Sequence, residues 1–237
     1  NLTLQVLQKF GIEIITERMG EELVYRIPGN QKYRSPGTCK VEGDWSNAAF
    51  WLTAGVLGEE AVRVTGLNPD SAQGDREIVE LLRQFGAKIE VQEDTVTAYP
   101  SRTSLHGIVI DASQIPDMVP ALALVASAAK GTSEIRHAER LRLKESDRLM
   151  SITEVLNALG GRVEERPDGL VITGRDVLSG GRADGYNDHR IVMMAAIASL
   201  ITTDKVILTG GTAVNKSYPT FFTVLEEHEM GNNLERR

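Results

Sequence analysis

The chain has a single cysteine, Cys39, among 237 residues. That excludes an intramolecular disulfide and a cysteine-only metal site, and it fits a reducing compartment. Only four histidines are present, and none pairs with another at helix-ligand spacing, which argues against a metal held by the protein. Positive charge is not in excess: 33 acidic side chains outnumber 26 basic ones, for a net charge of −7. Non-specific binding to nucleic-acid phosphates is therefore disfavoured, and no basic, aromatic-lined stripe is present. Any anion site has to be a local gathering of cations. No apolar run reaches the roughly 20 residues that cross a bilayer, and no signal-peptide pattern appears. What is there, 41% apolar and 25% charged residues, suits one large globular domain, or one domain plus a piece of another.

The chain repeats itself. Asp44 precedes an apolar run that ends at Gly58; Asp117 precedes another, from Met118 to Lys130, closed by Gly131; Asp188 precedes a third, from Ile191 to Ile201. Each run is Ala-rich and apolar nearly all round, the signature of a buried helix, and each Asp sits where an N-cap is expected. A short β-branched strand follows each: Val62–Val64, Glu134–Arg136 and Val206–Leu208. A polar loop and an amphipathic helix come next. Ile78, Leu81, Leu82 and Phe85 recur at i, i+3, i+4 and i+7, as do Ile152, Val155, Leu156 and Leu159; Phe221, Val224 and Leu225 form a looser third copy. Two strands close each of the first two units, Ile89–Val91 with Val96–Ala98 and Val163–Glu164 with Val171–Thr173.

The expected fold is thus α/β, a three-fold repeat of helix-strand-helix-strand-strand units of about 70 residues, with buried inner helices under sheets. The chain opens on Asn1, in mid-repeat: Val6, Leu7, Phe10 and Gly11 match the end of an amphipathic helix, and Glu13–Ile15 and Leu23–Ile27 match its two strands. A half-unit cannot bury its own apolar face, so a further segment upstream is expected.

Equivalent loops converge when repeats pack around an axis. The strand-to-helix loops here carry Gln73-Gly74-Asp75-Arg76, Lys144-Glu145-Ser146-Asp147-Arg148 and Asn215-Lys216-Ser217, and the inner helices begin at Asp44, Asp117 and Asp188-His189-Arg190. Helix N-termini offer free N–H groups and a positive dipole end. With Lys144, Arg148, Arg190 and Lys216 added, the result is a candidate anion pocket built from distant parts of the chain. Two arginines suit a planar carboxylate and lysines suit a phosphate. Glu145, between Lys144 and Arg148, is a candidate proton carrier. Taken one at a time, the aspartates read as caps, the 144–148 run and Asp75-Arg76 as helix starts, and His189 as a structural hydrogen-bonding side chain. Their co-location at equivalent places in a repeat is what favours a site.

Arg142-Leu143-Lys144-Glu145-Ser146-Asp147-Arg148 resembles the signature of the 3-phosphoshikimate 1-carboxyvinyltransferase family, the 5-enolpyruvylshikimate-3-phosphate synthases, and Tyr186-Asn187-Asp188-His189-Arg190 resembles its second signature. Val41-Glu42-Gly43-Asp44, Ser71-Ala72-Gln73-Gly74-Asp75, Ile115-Pro116-Asp117-Met118 and Lys216-Ser217-Tyr218-Pro219 match in the same order.

The resemblance implies the enolpyruvyl transferase fold, an inverted α/β barrel in two similar domains. Residues 1–41 would be a remnant of the first domain plus linker, residues 42–230 the second domain, and 231–237 a tail. The implied reaction joins phosphoenolpyruvate to the 5-hydroxyl of shikimate 3-phosphate and releases phosphate, with no metal and no organic cofactor. Arg148 and Arg190 would hold the phosphoenolpyruvate carboxylate, Lys216 its phosphate, and Asp117, Lys144 and Asp188 would contact substrate. Asp117, Glu145 and Lys216 would carry protons. Where some members have a substrate-contacting Asn, this chain has Arg140. The missing first domain would be the partner that completes the cleft, so the 237 residues alone are expected to be inactive. No nucleic-acid or membrane partner is expected, and the location would be the cytoplasm. Two other readings stay open: a relative acting on UDP-N-acetylglucosamine, and a non-catalytic anion-binding domain.

Overall fold

Composition decides what sits at the centre. Trp45–Leu57, Val119–Ala128 and His189–Ala198 have almost no polar face, so only an interior satisfies them. In the computed structural model, which describes residues 2–237, every residue of the second and third segments is buried, and Asn47 alone escapes burial in the first. These three helices pack on one another.

The chain runs α1 (Leu2–Lys9), β1 (Ile15–Met19), β2 (Glu22–Arg26), α2 (Trp45–Leu57), β3 (Val62–Thr65), α3 (Ile78–Gln84), β4 (Ile89–Gln92), β5 (Thr95–Ala98), β6 (Val109–Asp111), α4 (Val119–Ala128), β7 (Thr132–Arg136), α5 (Arg148–Ala158), β8 (Val163–Arg166), β9 (Gly169–Thr173), β10 (Gly181–Asp184), α6 (His189–Ala198), β11 (Val206–Thr209), α7 (Phe221–Glu227) and β12 (Leu234–Arg236). Three sheets surround the inner helices, in strand orders β3-β5-β4, β6-β7-β9-β8 and β10-β11-β12. The amphipathic helices bury the residues that their spacing selects. Ile78, Leu81, Leu82 and Phe85 are buried in the first unit, and Ile152, Val155, Leu156 and Leu159 in the second. Aromatic contacts join the third unit to the first: the Trp51 and Phe221 rings lie 5.2 Å apart, with Tyr218 edge-on to both.

The expected α/β repeat with buried inner helices is the observed fold. Three details differ. Strands β6 and β10 precede α4 and α6 and lie parallel on β7 and β11; Val109-Ile110 favours a strand but is very short, whereas Gly-Arg-Ala-Asp carries little strand propensity and is organised by the ladder of its neighbour. The third unit ends in one strand, β12, parallel to β11. Asp117 is not an N-cap. Ile115-Pro116 brings the chain into α4 through a 3-10 turn at Pro116–Met118 with no side-chain cap, and this leaves the Asp117 carboxylate free to meet cations.

Residues 2–40 contribute no side chain to this core. They form α1 and the β1–β2 hairpin, and no side chain among them is buried.

Candidate active site

The polar loops meet where the inner helices begin. Asp44 caps α2, its Oδ1 accepting the Ser46 N–H at 2.9 Å and the Ser46 hydroxyl at 2.7 Å. Asp188 caps α6, its Oδ1 accepting the Arg190 N–H at 2.9 Å. The turn before that cap holds two successive non-glycine residues in the left-handed region, Tyr186 (φ 49) and Asn187 (φ 51). Such a pair is costly and persists only where the surroundings enforce it. Here the Tyr186 N–H donates to Asp184 at 2.7 Å and its hydroxyl donates to Glu154 on α5.

Arg148 is the hub. Its side chain is fully buried at the first position of α5. Nε donates to Asp188 Oδ2 at 2.8 Å and Nη2 to Asp188 Oδ1 at 3.2 Å, a paired contact. Nη1 donates to Asp117 Oδ1 at 2.8 Å and Nη2 to Glu145 Oε2 at 2.7 Å. Ser146 adds a hydroxyl to Asp188 Oδ2 at 3.1 Å. Burial disfavours the Arg148 charge, yet hydrogen bonding and attraction from Asp188, with Glu145 and Asp117, raise its pKa above the ordinary value. Burial likewise works against the Asp188 carboxylate, and the Arg148 contacts outweigh it and lower its pKa.

Arg190 ties the three inner helices together. Nη2 donates to Ser46 Oγ at 3.0 Å, Nη1 to the Asp117 carbonyl at 3.1 Å, and Nε lies 3.6 Å from Asp117 Oδ1. Lys144 Nζ is 3.2 Å from the same Asp117 oxygen. Burial opposes the Asp117 charge, but Arg190, Lys144 and Arg148 together hold its carboxyl below the usual range. Lys216 lies at the rim, exposed, its Nζ donating to the Asn187 carbonyl. Asn47 Nδ2 to Ser217 Oγ, 3.4 Å, brings that loop to α2.

Asp117, Lys144, Glu145, Arg148, Asp188 and Arg190 therefore form one contiguous cluster, with Lys216 beside it. Arg140 stands outside, exposed in the 3-10 segment Glu139–Leu143. His189 does not make the hydrogen bonds of a structural histidine: its buried Nδ1 has no partner among the described residues. Burial first, then Arg190, lowers its pKa. Three participants escaped the sequence reading. Ser146 gave no signal beyond lying inside its motif, and Ser46 none beyond following the Asp44 cap. Asp75 read as a helix start, yet burial first and the nearby Asp117 second push its pKa up to about 6. Among the described residues no group of three or more His, Cys, Asp or Glu side chains could hold a metal ion.

A buried arginine bracketed by three carboxylates is joined to a second arginine across three helix starts. The sequence profile of EPSP synthase (3-phosphoshikimate 1-carboxyvinyltransferase) matches residues 1–225. The chain belongs to the EPSP synthase family. The 3-phosphoshikimate 1-carboxyvinyltransferase of Clostridium novyi is 44% identical over 98% of this chain and 53% of its own length. That of Clostridium acetobutylicum is 46% identical over 96% and 51%. The solved structure of EPSP synthase from Acinetobacter baumannii shares the fold, with a TM-score of 0.77 at 24% identity over 94% of this chain and 53% of its own. The enolpyruvyl transferase NikO from Streptomyces tendae gives 0.74 at 25% identity, over 94% of this chain and 51% of its own. The chain spans about half the length of the curated EPSP synthases it matches. No helix among the described residues is long and apolar enough to cross a membrane.

Proposed function

We propose that the whole protein transfers the enolpyruvyl group of phosphoenolpyruvate to the 5-hydroxyl of shikimate 3-phosphate and releases phosphate, a step of aromatic amino-acid biosynthesis. The observation that carries this reading is the meeting of Lys144, Glu145 and Arg148 with Asp188 and Arg190 around Asp117, in a member of the EPSP synthase family.

The cluster as it stands pairs its cations with its own carboxylates, so a substrate anion enters by exchange. Glu145 is the replaceable one: its side chain is 40% exposed, against 0% for Asp188. A phosphoenolpyruvate carboxylate that takes the place of Glu145 at Arg148 Nη2, with Arg190 alongside, keeps the arginine satisfied and releases Glu145. The released carboxylate then carries a proton to and from the methylene carbon, which has to gain one on addition and lose one on elimination. Lys144 and Asp117 face shikimate 3-phosphate, with Asp117 near the reacting hydroxyl. Lys216 meets the phosphate of phosphoenolpyruvate, where cations offset the charge of the leaving group.

In this reading residues 42–230 form one domain of the enzyme and supply one wall of the cleft, residues 1–41 belong to a first domain and its linker, and that first domain supplies the other wall. Lys144, Glu145 and Lys216 reach the surface rather than an enclosed cavity, and the relatives are about twice as long. The test is phosphate release from phosphoenolpyruvate by the longest chain that carries this sequence, with shikimate 3-phosphate or UDP-N-acetylglucosamine as acceptor. Release is expected with the first acceptor alone, and Glu145→Gln should lower it by about 10²–10⁴-fold. Release with the nucleotide sugar instead, or full activity in Glu145→Gln, would overturn the assignment. Turnover by these 237 residues alone would overturn the two-wall arrangement.

A further inference from the structure

The turn that opens α6 is held in a conformation that its residues disfavour. Tyr186 and Asn187 follow one another in the left-handed region. Asparagine tolerates that region, but a bulky side chain is an outlier there. Among the described residues, the other non-glycine positions with positive φ are Asn30, Glu93, His137 and Glu229, all smaller than tyrosine. Two hydrogen bonds close the turn on itself, from the Tyr186 N–H to Asp184 at 2.7 Å and from the Asp188 N–H to the Gly185 carbonyl at 2.8 Å. Neither ties it to a neighbouring helix.

Three other contacts do so. At one end Asp188 accepts from Nε and Nη2 of Arg148, the first residue of α5. At the other end the Tyr186 hydroxyl donates to Glu154, six residues further along α5 and about 9 Å up its axis. Between them Lys216 Nζ donates to the Asn187 carbonyl. Helix α5 thus holds the turn at two points, Tyr186 and Asp188, with the strained backbone between them. The Glu154 carboxylate first, and burial second, push the Tyr186 pKa up to about 12, so the hydroxyl stays a donor at neutral pH. The Asp188 carboxylate at the end of this turn is bonded to both arginines of the cluster. Oδ1 accepts the Arg190 N–H and Arg148 Nη2, and Oδ2 accepts Arg148 Nε. A shift of the turn therefore moves Arg190 relative to Arg148.

We propose, on the transferase reading above, that Tyr186 and Glu154 form a strut that fixes the spacing of Arg148 and Arg190, which makes Tyr186 a positioning residue for the phosphoenolpyruvate carboxylate. A strained pair persists only where its surroundings enforce it, and here the enforcement changes as substrate binds. Lys216 gives up the Asn187 carbonyl to meet the phosphate, so the middle contact is lost. The strut is then the hold that remains on the strained side of the turn. Without it the turn relaxes toward ordinary backbone angles and carries Asp188 and the start of α6 with it. Paired N–H contacts to a planar carboxylate depend on direction as well as distance, so the donor site suffers first. Shikimate 3-phosphate, assigned to Lys144 and Asp117, lies off this turn.

Tyr186→Phe and Glu154→Ala each remove the strut in the full-length enzyme, and Glu154 is exposed, so its loss leaves the core intact. Each should raise the KM for phosphoenolpyruvate about tenfold, the loss of one charge-assisted hydrogen bond, with the KM for shikimate 3-phosphate within about twofold. The double variant should lose no more than either single one. Glu154→Gln, whose carbonyl oxygen still accepts the hydroxyl, should recover most of the affinity. Without substrate, exchange of the Arg190 amide should quicken about tenfold in both single variants, while that of Leu124 in the middle of α4 is unchanged. An unchanged KM for phosphoenolpyruvate in both single variants, or losses that multiply in the double one, would overturn the strut. So would a rise in both KM values with faster Leu124 exchange, the mark of a general loosening. No phosphate release by the unaltered enzyme would count against the transferase reading alone, and the exchange comparison would still decide the strut.

Discussion

Asp75→Asn isolates one electrostatic cost of the site. Asp75 lies in the 3-10 turn Gly74–Glu77 ahead of α3. Burial first and repulsion from Asp117 second raise its pKa from 3.8 to about 6, against attraction from Arg190 and Lys144. The fold therefore favours the neutral acid relative to the unfolded chain. The sign follows directly: no penalty applies below about pH 4, where both states are protonated, the penalty grows between about pH 4 and 6, and it is full above about pH 6. At about 1.4 kcal/mol per pH unit the ceiling is roughly 3 kcal/mol. The carboxyl is only partly buried, so solvent screening reduces this to about 1–2 kcal/mol. Asparagine keeps the shape and removes the charge. In urea unfolding, Asp75→Asn should exceed the unaltered chain by about 1–2 kcal/mol at pH 8, with the difference vanishing near pH 4. A gain that does not depend on pH, or a loss at pH 8, would refute the placement of Asp75 within the anionic field of Asp117.

Two further substitutions probe the hub and the layers. Asp188→Ala strips Arg148 of its paired partner while the guanidinium stays buried, and should cost about 3–5 kcal/mol in denaturant unfolding; a loss below about 1 kcal/mol would mean that Arg148 escapes to solvent. Gly174→Ala would place a Cβ 1.6 Å from the Ala129 carbonyl oxygen, so a loss of about 1–3 kcal/mol or more is expected from the forced shift of the loop after β9 away from α4, and an unchanged melting temperature would contradict that close approach.

The sequence by itself determined the layers. Runs with no polar face, from Trp45, Val119 and His189, have no stable place but the centre, and the period of Ile78, Leu81, Leu82 and Phe85 fixes both the helix and the face it buries. The same reasoning gathered the charged loops at one end, because equivalent positions of a repeat converge, and Arg148, Asp188 and Arg190 do meet there. Tertiary structure decided the rest. Strand β10, Gly-Arg-Ala-Asp, carries weak propensity and exists because the β11 ladder holds it. Local rules make Asp117 a cap, but the Ile115-Pro116 entry turns it toward Lys144, Arg148 and Arg190. Carboxylates of two units hold the buried Arg148 charge, and the raised pKa of Asp75 reflects burial and charges from all three. Periodicity records which face of an element is apolar; the partners of a buried charge are set by distances across the fold, which local pattern does not encode.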